Sequence, residues 1–200
     1  MRGVFVTGTD TGVGKTVLSA ALLLRYPDAI YWKPIQTGSD DDTAEVRRLS
    51  GGRAIDKGIR LPDPVSPHLA AQRAGVVIDL KELIPPSGFC VVEGAGGVLV
   101  PVNASQVMAD LTAMLGLPVL VAARSTLGTI NHTLLTIEAL RARSLTIAGV
   151  VMIGARNLDN RSAIEHYGKV PVLAEMPRFD PLTSECLRRW AETLPRDLIA

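Results

Sequence analysis

The residues that most clearly carry chemistry lie near the start of the chain, in the run Gly8-Thr-Asp-Thr-Gly-Val-Gly-Lys15-Thr16. Glycines let the backbone curl so that consecutive N–H groups point at phosphate oxygens, while a lysine and a hydroxyl can reach outer phosphates and Mg²⁺. The usual spacing places the first glycine where this chain has Thr9, and Gly8 comes one residue early. An apolar run precedes the motif and a helix-forming run follows it, which predicts a phosphate-binding loop rather than a glycine-rich turn with an exposed lysine.

A carboxylate follows a second apolar run, in Val91-Val-Glu93-Gly-Ala-Gly96. In open α/β sheets, ligands bind in the crevice outside the carboxyl ends of the strands. Glu93 at the end of a buried strand would therefore bind Mg²⁺ or orient a water molecule opposite Thr16. The same carboxylate could equally cap a loop, and position alone does not separate these two roles.

Lys33 and a short acidic run form a third group. Lys33 begins Lys33-Pro-Ile-Gln-Thr37-Gly38, where its charge could stabilise a transferring phosphoryl group, although a solvated surface lysine is the alternative. Asp40, Asp41 and Asp42 follow, and such runs usually lie in solvated loops. Asp42 differs because it begins an Asp-x-x-Glu pattern, which predicts that it caps a helix N-terminus.

The run Leu127-Gly-Thr-Ile-Asn131-His132 opens a long helical pattern with no acidic residue in its first turns. Backbone N–H groups at such a helix start can bind an anion, and a plain capping turn is the alternative. His68 and His132 each lack a second metal-type residue at ligand spacing, so neither is predicted to bind metal.

Alternating strand-like and helix-like segments must position these residues. Such alternation predicts right-handed βαβ units and one α/β domain over residues 1–200, with a central, mostly parallel sheet flanked by helices. Residues 51–67 are predicted to be irregular. The predicted strands are 3–7, 29–33, 89–93, 118–123, 146–153 and 170–174, and the predicted helices are 16–25, 128–143, 181–193 and one that begins at residue 42.

The composition bounds the possible partners. The chain has 200 residues, 47% of them hydrophobic, and 21 Lys plus Arg against 20 Asp plus Glu give a net charge of +1. Such a balance produces no field that would attract nucleic acid or an anionic membrane. Two cysteines cannot make a disulfide framework, and no targeting or membrane-spanning run is visible. We therefore expect a cytoplasmic protein without nucleic-acid or membrane partners.

Four motifs, GTDTGVGKT, KPIQTG, VEGAGG and LGTINH, stand in an order and spacing that closely resemble dethiobiotin synthetase, from about Gly3 to about Phe179. The resemblance implies a single P-loop NTPase domain that works as a homodimer, with each active site shared between subunits. It also implies the reaction. With Mg²⁺ and with ATP as co-substrate, 7,8-diaminononanoate and CO₂ (or bicarbonate) give dethiobiotin, ADP and phosphate through an N-carbamate and a carbamic-phosphoric anhydride.

The resemblance further implies a role for each matching position. The catalytic residues are Lys15 and Lys33, and the Mg²⁺ ligands are Thr16, Asp42 and Glu93. The substrate-binding residues are Thr11 and Thr37, with Gly128, Thr129 and Asn131 holding the substrate carboxylate from the neighbouring subunit. The nucleotide-binding residues are Gly12, Val13, Gly14, Lys15, Thr16, Val17, Asp42, Glu93, Gly94, Ala95, Gly96, Ile153, Gly154, Pro177, Arg178 and Phe179.

Two positions depart from the family pattern. Gly12 stands where some members carry a carboxylate near the nucleotide. Ile153 and Gly154 stand where many members carry an Asn-Asp-like pair that reads adenine, and neither side chain here can hydrogen-bond a base edge. We therefore expect weak nucleobase selectivity, with remaining base contacts from residues 177–179.

Two other classes of P-loop protein compete with this interpretation. Partitioning-type ATPases, which dimerise on DNA or membrane, usually carry a second lysine near position 10, where this chain has Asp10. They also carry basic or amphipathic surfaces that this composition does not indicate. Amidoligases related to the cobyrinate synthases usually add a glutaminase domain with a nucleophilic cysteine. We expect 200 residues to be too few for that domain, and Cys90 lies in an apolar run.

Overall fold

The computed structural model describes residues 2–195 and Leu198, so both ends of the predicted 1–200 domain lie outside the described residues. The strands are β1 (Arg2–Gly8), β2 (Ile30–Trp32), β3 (Ile35–Thr37), β4 (Arg53–Ile55), β5 (Ile59–Leu61), β6 (Phe89–Gly97), β7 (Val119–Arg124), β8 (Ile147–Ile153) and β9 (Val172–Met176). The helices are α1 (Lys15–Arg25), α2 (Asp42–Ser50), α3 (Pro67–Ala74), α4 (Met108–Leu115), α5 (Thr129–Arg141), α6 (Leu158–Gly168) and α7 (Ser184–Ala191), with a 3₁₀ turn at Leu80–Glu82.

Seven strands form one parallel sheet in the order β4-β2-β6-β1-β7-β8-β9, and β3 pairs separately with β5. The predicted α/β architecture is confirmed. In the register, Val6 of β1 lies beside Glu93 of β6 and Leu120 of β7. Because parallel strands end at the same edge of a sheet, the segments that follow β1, β2, β6 and β7 meet there.

Side chains of the central strands are buried on both faces, since helices cover each side of the sheet. On one face Val4, Val6 and Tyr31 pack with helix α1, and on the other Phe5 and Trp32 pack in a separate cluster with helix α4. This two-sided burial explains why the central strands have continuous apolar sequences. No helix in the described part of the chain is long and apolar enough to cross a membrane.

Two sequence-based expectations about the elements are wrong. Residues 51–67 are not irregular throughout, because β4 joins the edge of the main sheet and β5 pairs with β3. Each has only three residues and includes an exposed arginine, Arg53 or Arg60, so neither shows an apolar run. Strand β6 also continues to Gly97, and Glu93 therefore lies within the strand rather than at its end. Helices α3, α4 and α6 were not predicted.

Candidate active site

The phosphate loop, residues 8–16, joins β1 to α1 with the backbone that its glycines allow. Gly12 and Gly14 have φ values of 68° and 107°, which other residues rarely adopt. A Cβ at Gly8 would lie 2.7 Å from Val13 Cγ2 and 2.9 Å from the Asp10 carbonyl oxygen, so the early glycine is required by the tight turn. Helix α1 has no acidic residue in its first turn, and its N-terminus therefore remains favourable for an anion.

Lys15 is held inside the curl of this loop. Its side chain is buried, and Nζ donates to the Asp10 carbonyl oxygen at 3.1 Å. Burial lowers the pKa of Lys15, and nearby Lys33 lowers it further, while the attraction of Glu93 only partly opposes them. Among the described residues Lys15 Nζ donates to this one carbonyl oxygen, so the ammonium has further N–H groups with which it could contact an anion.

Four side chains converge beside the loop and form what we call the carboxylate cluster: Thr16, Lys33, Asp42 and Glu93. Lys33 Nζ lies 2.6 Å from Asp42 Oδ2 and 2.8 Å from Glu93 Oε1. The Thr16 hydroxyl oxygen lies 3.0 Å from both Asp42 Oδ1 and Glu93 Oε1. Residues from α1, the end of β2, α2 and β6 thus meet at one point, and their roles there stay a prediction.

Asp42 reaches this cluster because another residue caps its helix. The prediction that Asp42 is the N-cap is wrong: Asp41 Oδ1 accepts from the Ala44 N–H at 2.8 Å, and α2 begins at Asp42. The Asp-x-x-Glu pattern favours Asp42, but the adjacent Asp41 caps the helix instead. With the cap supplied by Asp41, the Asp42 side chain faces Lys33 and Thr16 instead.

Two residues of the site were missed by sequence reasoning. The Ser19 hydroxyl and the Tyr31 hydroxyl each donate to Glu93 Oε2 at 3.0 Å. Burial raises the pKa of Tyr31 well above its ordinary value, and the negative Glu93 raises it further, so the hydroxyl stays protonated. The signals in the sequence are the hydroxyl of Ser19 within an apolar helix and the hydroxyl of Tyr31 within an apolar strand.

Electrostatics favours a charged Lys33. Burial lowers its pKa, but the attraction of Glu93 and Asp42 outweighs burial, and the pKa of Lys33 is raised. Glu93 is only 1% exposed. A buried carboxylate needs a cation close by, and Lys33 supplies that positive charge.

The donor set of the cluster fits Mg²⁺. One hydroxyl and two carboxylates are the hard oxygen ligands that this ion prefers, and Mg²⁺ usually takes its remaining ligands from substrate phosphates and water. Within residues 2–195, no group of three or more His, Cys, Asp or Glu side chains could hold a metal. A cation bound here would therefore depend on a nucleotide for part of its coordination.

A cavity of about 590 Å³ lies beside the phosphate loop. It is lined by loop residues 8–11, residues 97–101 and one face of α5, including His132 and Leu135. Arg124 holds the loop tip at this cavity, because Nη2 lies 3.2 Å from Asp10 Oδ2 and 3.2 Å from the Thr11 carbonyl oxygen. A larger cavity, about 760 Å³, lies at the β4 edge and includes none of the predicted site residues.

The predicted substrate residues occupy different environments. Thr11 is exposed at the loop tip, and Thr37 is half-buried in β3. Gly128 precedes α5 with a φ of 92°, and Asn131 is exposed in the first turn. Thr129 is buried with its hydroxyl 3.4 Å from that of Thr133, and its N–H donates to Thr126. Contact between these groups and a substrate stays a prediction.

The predicted base-binding residues pack against the loop and its surroundings. Ile153 is buried, and its Cδ1 lies 3.1 Å from where a Cβ on Gly14 would be. Gly154 has a φ of 136°, and a Cβ there would lie 2.3 Å from Ser125 Oγ. Pro177 and Arg178 are exposed, while Phe179 packs partly against the core cluster that includes Ile153. No side chain of residues 153 and 154 offers a hydrogen bond to a base.

Comparison with solved structures identifies the fold class. A ParA family ATPase from Chlorobium tepidum TLS superposes with a TM-score of 0.63 at 14% identity, covering 97% of this chain and 100% of that chain. The septum site-determining protein MinD complexed with Mg-ADP from Pyrococcus horikoshii OT3 gives 0.56 at 15% identity, covering 98% and 87%. At such identities the likeness shows the fold alone.

Sequence comparison identifies the family. A family model described as an AAA domain matches residues 2–186. The chain is 48% identical over 202 residues to the biotin biosynthesis bifunctional protein BioCD of Bordetella avium, covering 97% of this chain but only 43% of that longer protein. The ATP-dependent dethiobiotin synthetases BioD of Paramagnetospirillum magneticum and Rhodopseudomonas palustris (strain HaA2) are 53% and 49% identical, covering 92% and 94% of this chain and 92% and 91% of those proteins. This chain belongs to the dethiobiotin synthetase family.

Proposed function

We propose that this chain uses ATP to convert 7,8-diaminononanoate and CO₂ into dethiobiotin, and that the carboxylate cluster and Lys15 form its reaction centre. The observation that carries the proposal is the convergence of two buried lysines and two carboxylates beside an open phosphate loop. Family membership supports the reaction, and the geometry supports the roles of the residues. In this proposal the backbone of residues 12–17 and of residues 94–96 binds the ATP phosphates.

The reaction proceeds in three steps. One amine adds to CO₂ and loses a proton, which gives a carbamate. A carbamate oxygen then attacks the γ-phosphorus of ATP and ADP leaves, which gives the carbamic-phosphoric anhydride. The second amine attacks the carbamate carbon, phosphate leaves with its bonding electrons, and the ring closes as the amine loses a proton. Lys15 and Lys33 stabilise the negative charge on the carbamate and on the transferring phosphoryl group.

Thr16, Asp42 and Glu93 would hold the Mg²⁺ ion that accompanies ATP. When bound, the ion supplies positive charge that neutralises the phosphate oxygens. Lys33 contributes positive charge at the same two carboxylates, since Nζ contacts both Asp42 and Glu93. Because Lys33 is buried, its charge acts with little screening by water.

We also propose that two copies of the chain share each site. The substrate carries a carboxylate at the far end of an apolar chain, and it needs an anion site distant from the phosphate loop. The start of α5 has no acidic residue, and its first N–H groups have no partners within the helix. Of these, the Thr129 N–H donates to the Thr126 carbonyl oxygen, which lies before the helix. Leu127 is fully exposed beside it, and Leu99 and Leu135 are more than half exposed near the loop cavity. A two-fold partner would cover these groups.

Mixing two inactive variants tests the shared site. Asn131→Glu places a negative charge at the exposed start of α5, where it repels the substrate carboxylate but suits the helix. Lys33→Ala removes the reaction-centre charge. Each homodimer should be nearly inactive, whereas one site of every mixed dimer carries neither change, so random exchange restores about a quarter of wild-type activity. Asn131→Gln is the neutral control. Confirmed heterodimers without recovered activity would place each site within one chain.

The overall function is tested by product release. Phosphate release should require 7,8-diaminononanoate and bicarbonate together, with dethiobiotin formed in equal amount and identified by mass. ATP hydrolysis that needs neither compound but increases with DNA or lipid vesicles would instead indicate a partitioning-type ATPase.

A further inference from the structure

Glu93 is contacted by four donors that divide evenly between its two oxygens. Thr16 and Lys33 lie at Oε1, on the side of the phosphate loop. Ser19 and Tyr31 lie at Oε2, at 3.0 Å each, on the side of the core. The two oxygens of one carboxylate therefore have different partners, and only Oε1 faces the catalytic groups.

The two core-side hydroxyls are fixed by their elements. Ser19 lies one turn after Thr16 on α1, and Tyr31 lies two residues before Lys33 in the β2 segment. Both side chains are completely buried. A glutamate has three rotatable bonds, and its terminal torsion is broad, so two fixed donors restrict which oxygen faces the loop.

Tyr31 lies in a cluster whose other members are almost all aliphatic, including Val4, Val6 and Val91. A phenylalanine would fill the same space, and a buried hydroxyl is costly unless it is hydrogen-bonded. The hydroxyl of Tyr31 bonds to Glu93. Its contribution beyond packing is therefore made at that carboxylate.

We propose that Tyr31, assisted by Ser19, is a positioning residue that orients Glu93 so that Oε1 is presented to the divalent cation. The inference rests on the proposed function, because it concerns the same cation site. Partners of this kind, which touch a metal ligand rather than the metal, typically contribute roughly 10- to 100-fold in metal affinity.

The test measures Mn²⁺ binding to the full chain in the presence of ADP, by electron paramagnetic resonance, for wild type, Tyr31→Phe and Ser19→Ala. Each variant should bind Mn²⁺ roughly 10-fold more weakly or worse, and the Mg²⁺ concentration for half-maximal turnover should rise in parallel. The turnover at saturating Mg²⁺ should change less. Tyr26→Phe is the matched control, because that hydroxyl donates to the Pro195 carbonyl oxygen in an exposed position. Its Mn²⁺ affinity should equal that of wild type.

The outcomes separate positioning from packing. A lower melting temperature with unchanged Mn²⁺ affinity would mean that the hydroxyls only stabilise the core, and it would overturn the inference. Ser19→Ala decides the question if Tyr31→Phe does not fold. Wild-type protein that binds no Mn²⁺ with ADP would overturn the cation site of the proposed function as well, whereas equal binding by wild type and both variants would overturn the positioning role alone.

Discussion

Replacing Lys33 with methionine removes the central positive charge of the site while keeping a side chain of similar length. The lost contacts are the 2.6 Å pair with Asp42 and the 2.8 Å pair with Glu93. The Glu93 side chain is 1% exposed and the Asp42 side chain is 23% exposed. Water can therefore solvate the Asp42 carboxylate after the lysine is removed, but not the Glu93 carboxylate. Breaking a buried ion pair by removing one partner costs about 3–5 kcal/mol. In a chain of this length that corresponds to a melting temperature about 6–20 °C lower.

The same variant separates the structural role of Lys33 from its chemical role. Mg²⁺ with ADP should recover part of the lost melting temperature, because a ligand that binds only the folded state stabilises it and the cation replaces the missing charge. Turnover should stay lower by roughly 100-fold or more at saturating substrates, since no other group supplies the lost transition-state contact. Thermal unfolding with and without Mg²⁺ and ADP, together with steady-state phosphate release, measures both effects.

Lys81→Met is the matched control, because Lys81 is exposed and lies outside the site. It should leave both the melting temperature and the turnover unchanged. Near-wild-type turnover in Lys33→Met would remove Lys33 from the reaction. An unchanged melting temperature would show that the two carboxylates do not depend on Lys33 for their charge balance.

Three further outcomes follow from the site. Lys15→Ala should lower turnover by roughly 100-fold or more with the fold intact, as measured by phosphate release and circular dichroism. GTP or CTP should support the reaction with a kcat/KM within roughly 10- to 100-fold of that for ATP. The reason is that the side chains of Ile153 and Gly154 offer no base contact, and a bidentate base contact is worth about 1–3 kcal/mol. A preference for ATP by several orders of magnitude would assign base recognition to backbone groups or Arg178. Despite its burial, Lys33 has a raised pKa in the folded state because of its carboxylates, so the stability that it adds is fully present below about pH 10.5 and is lost as pH rises through its folded pKa. The difference in unfolding free energy between wild type and Lys33→Met should therefore shrink above pH 10.5, and a growing difference would contradict the assignment.

The parts of the site that sequence predicts are those with local signals. The phosphate loop is local, since its glycines, its lysine and the start of α1 lie within nine residues. The hydroxyls of Ser19 and Tyr31 stand out within apolar runs, but their shared partner could not be predicted, because Glu93 lies 74 and 62 residues away in sequence. Strands β3 and β5 were missed for a related reason: each has three residues, and they form only by pairing with one another.

Ile153 and Gly154, which replace the Asn-Asp-like pair of many family members, are both constrained by the residues around them. An aspartate at position 154 would have to adopt a φ near 136°, which side chains rarely allow, and its Cβ would lie 2.3 Å from Ser125 Oγ. Ile153 is likewise fixed, because its side chain packs on Gly14 and within the core cluster that includes Met176. A polar residue in place of Ile153 would leave the phosphate loop without that apolar support and would bury an uncompensated polar group. A single substitution at position 153 or 154 would therefore not restore a base-reading pair. We expect weak nucleobase selectivity to depend on both residues together with their neighbours Gly14 and Ser125.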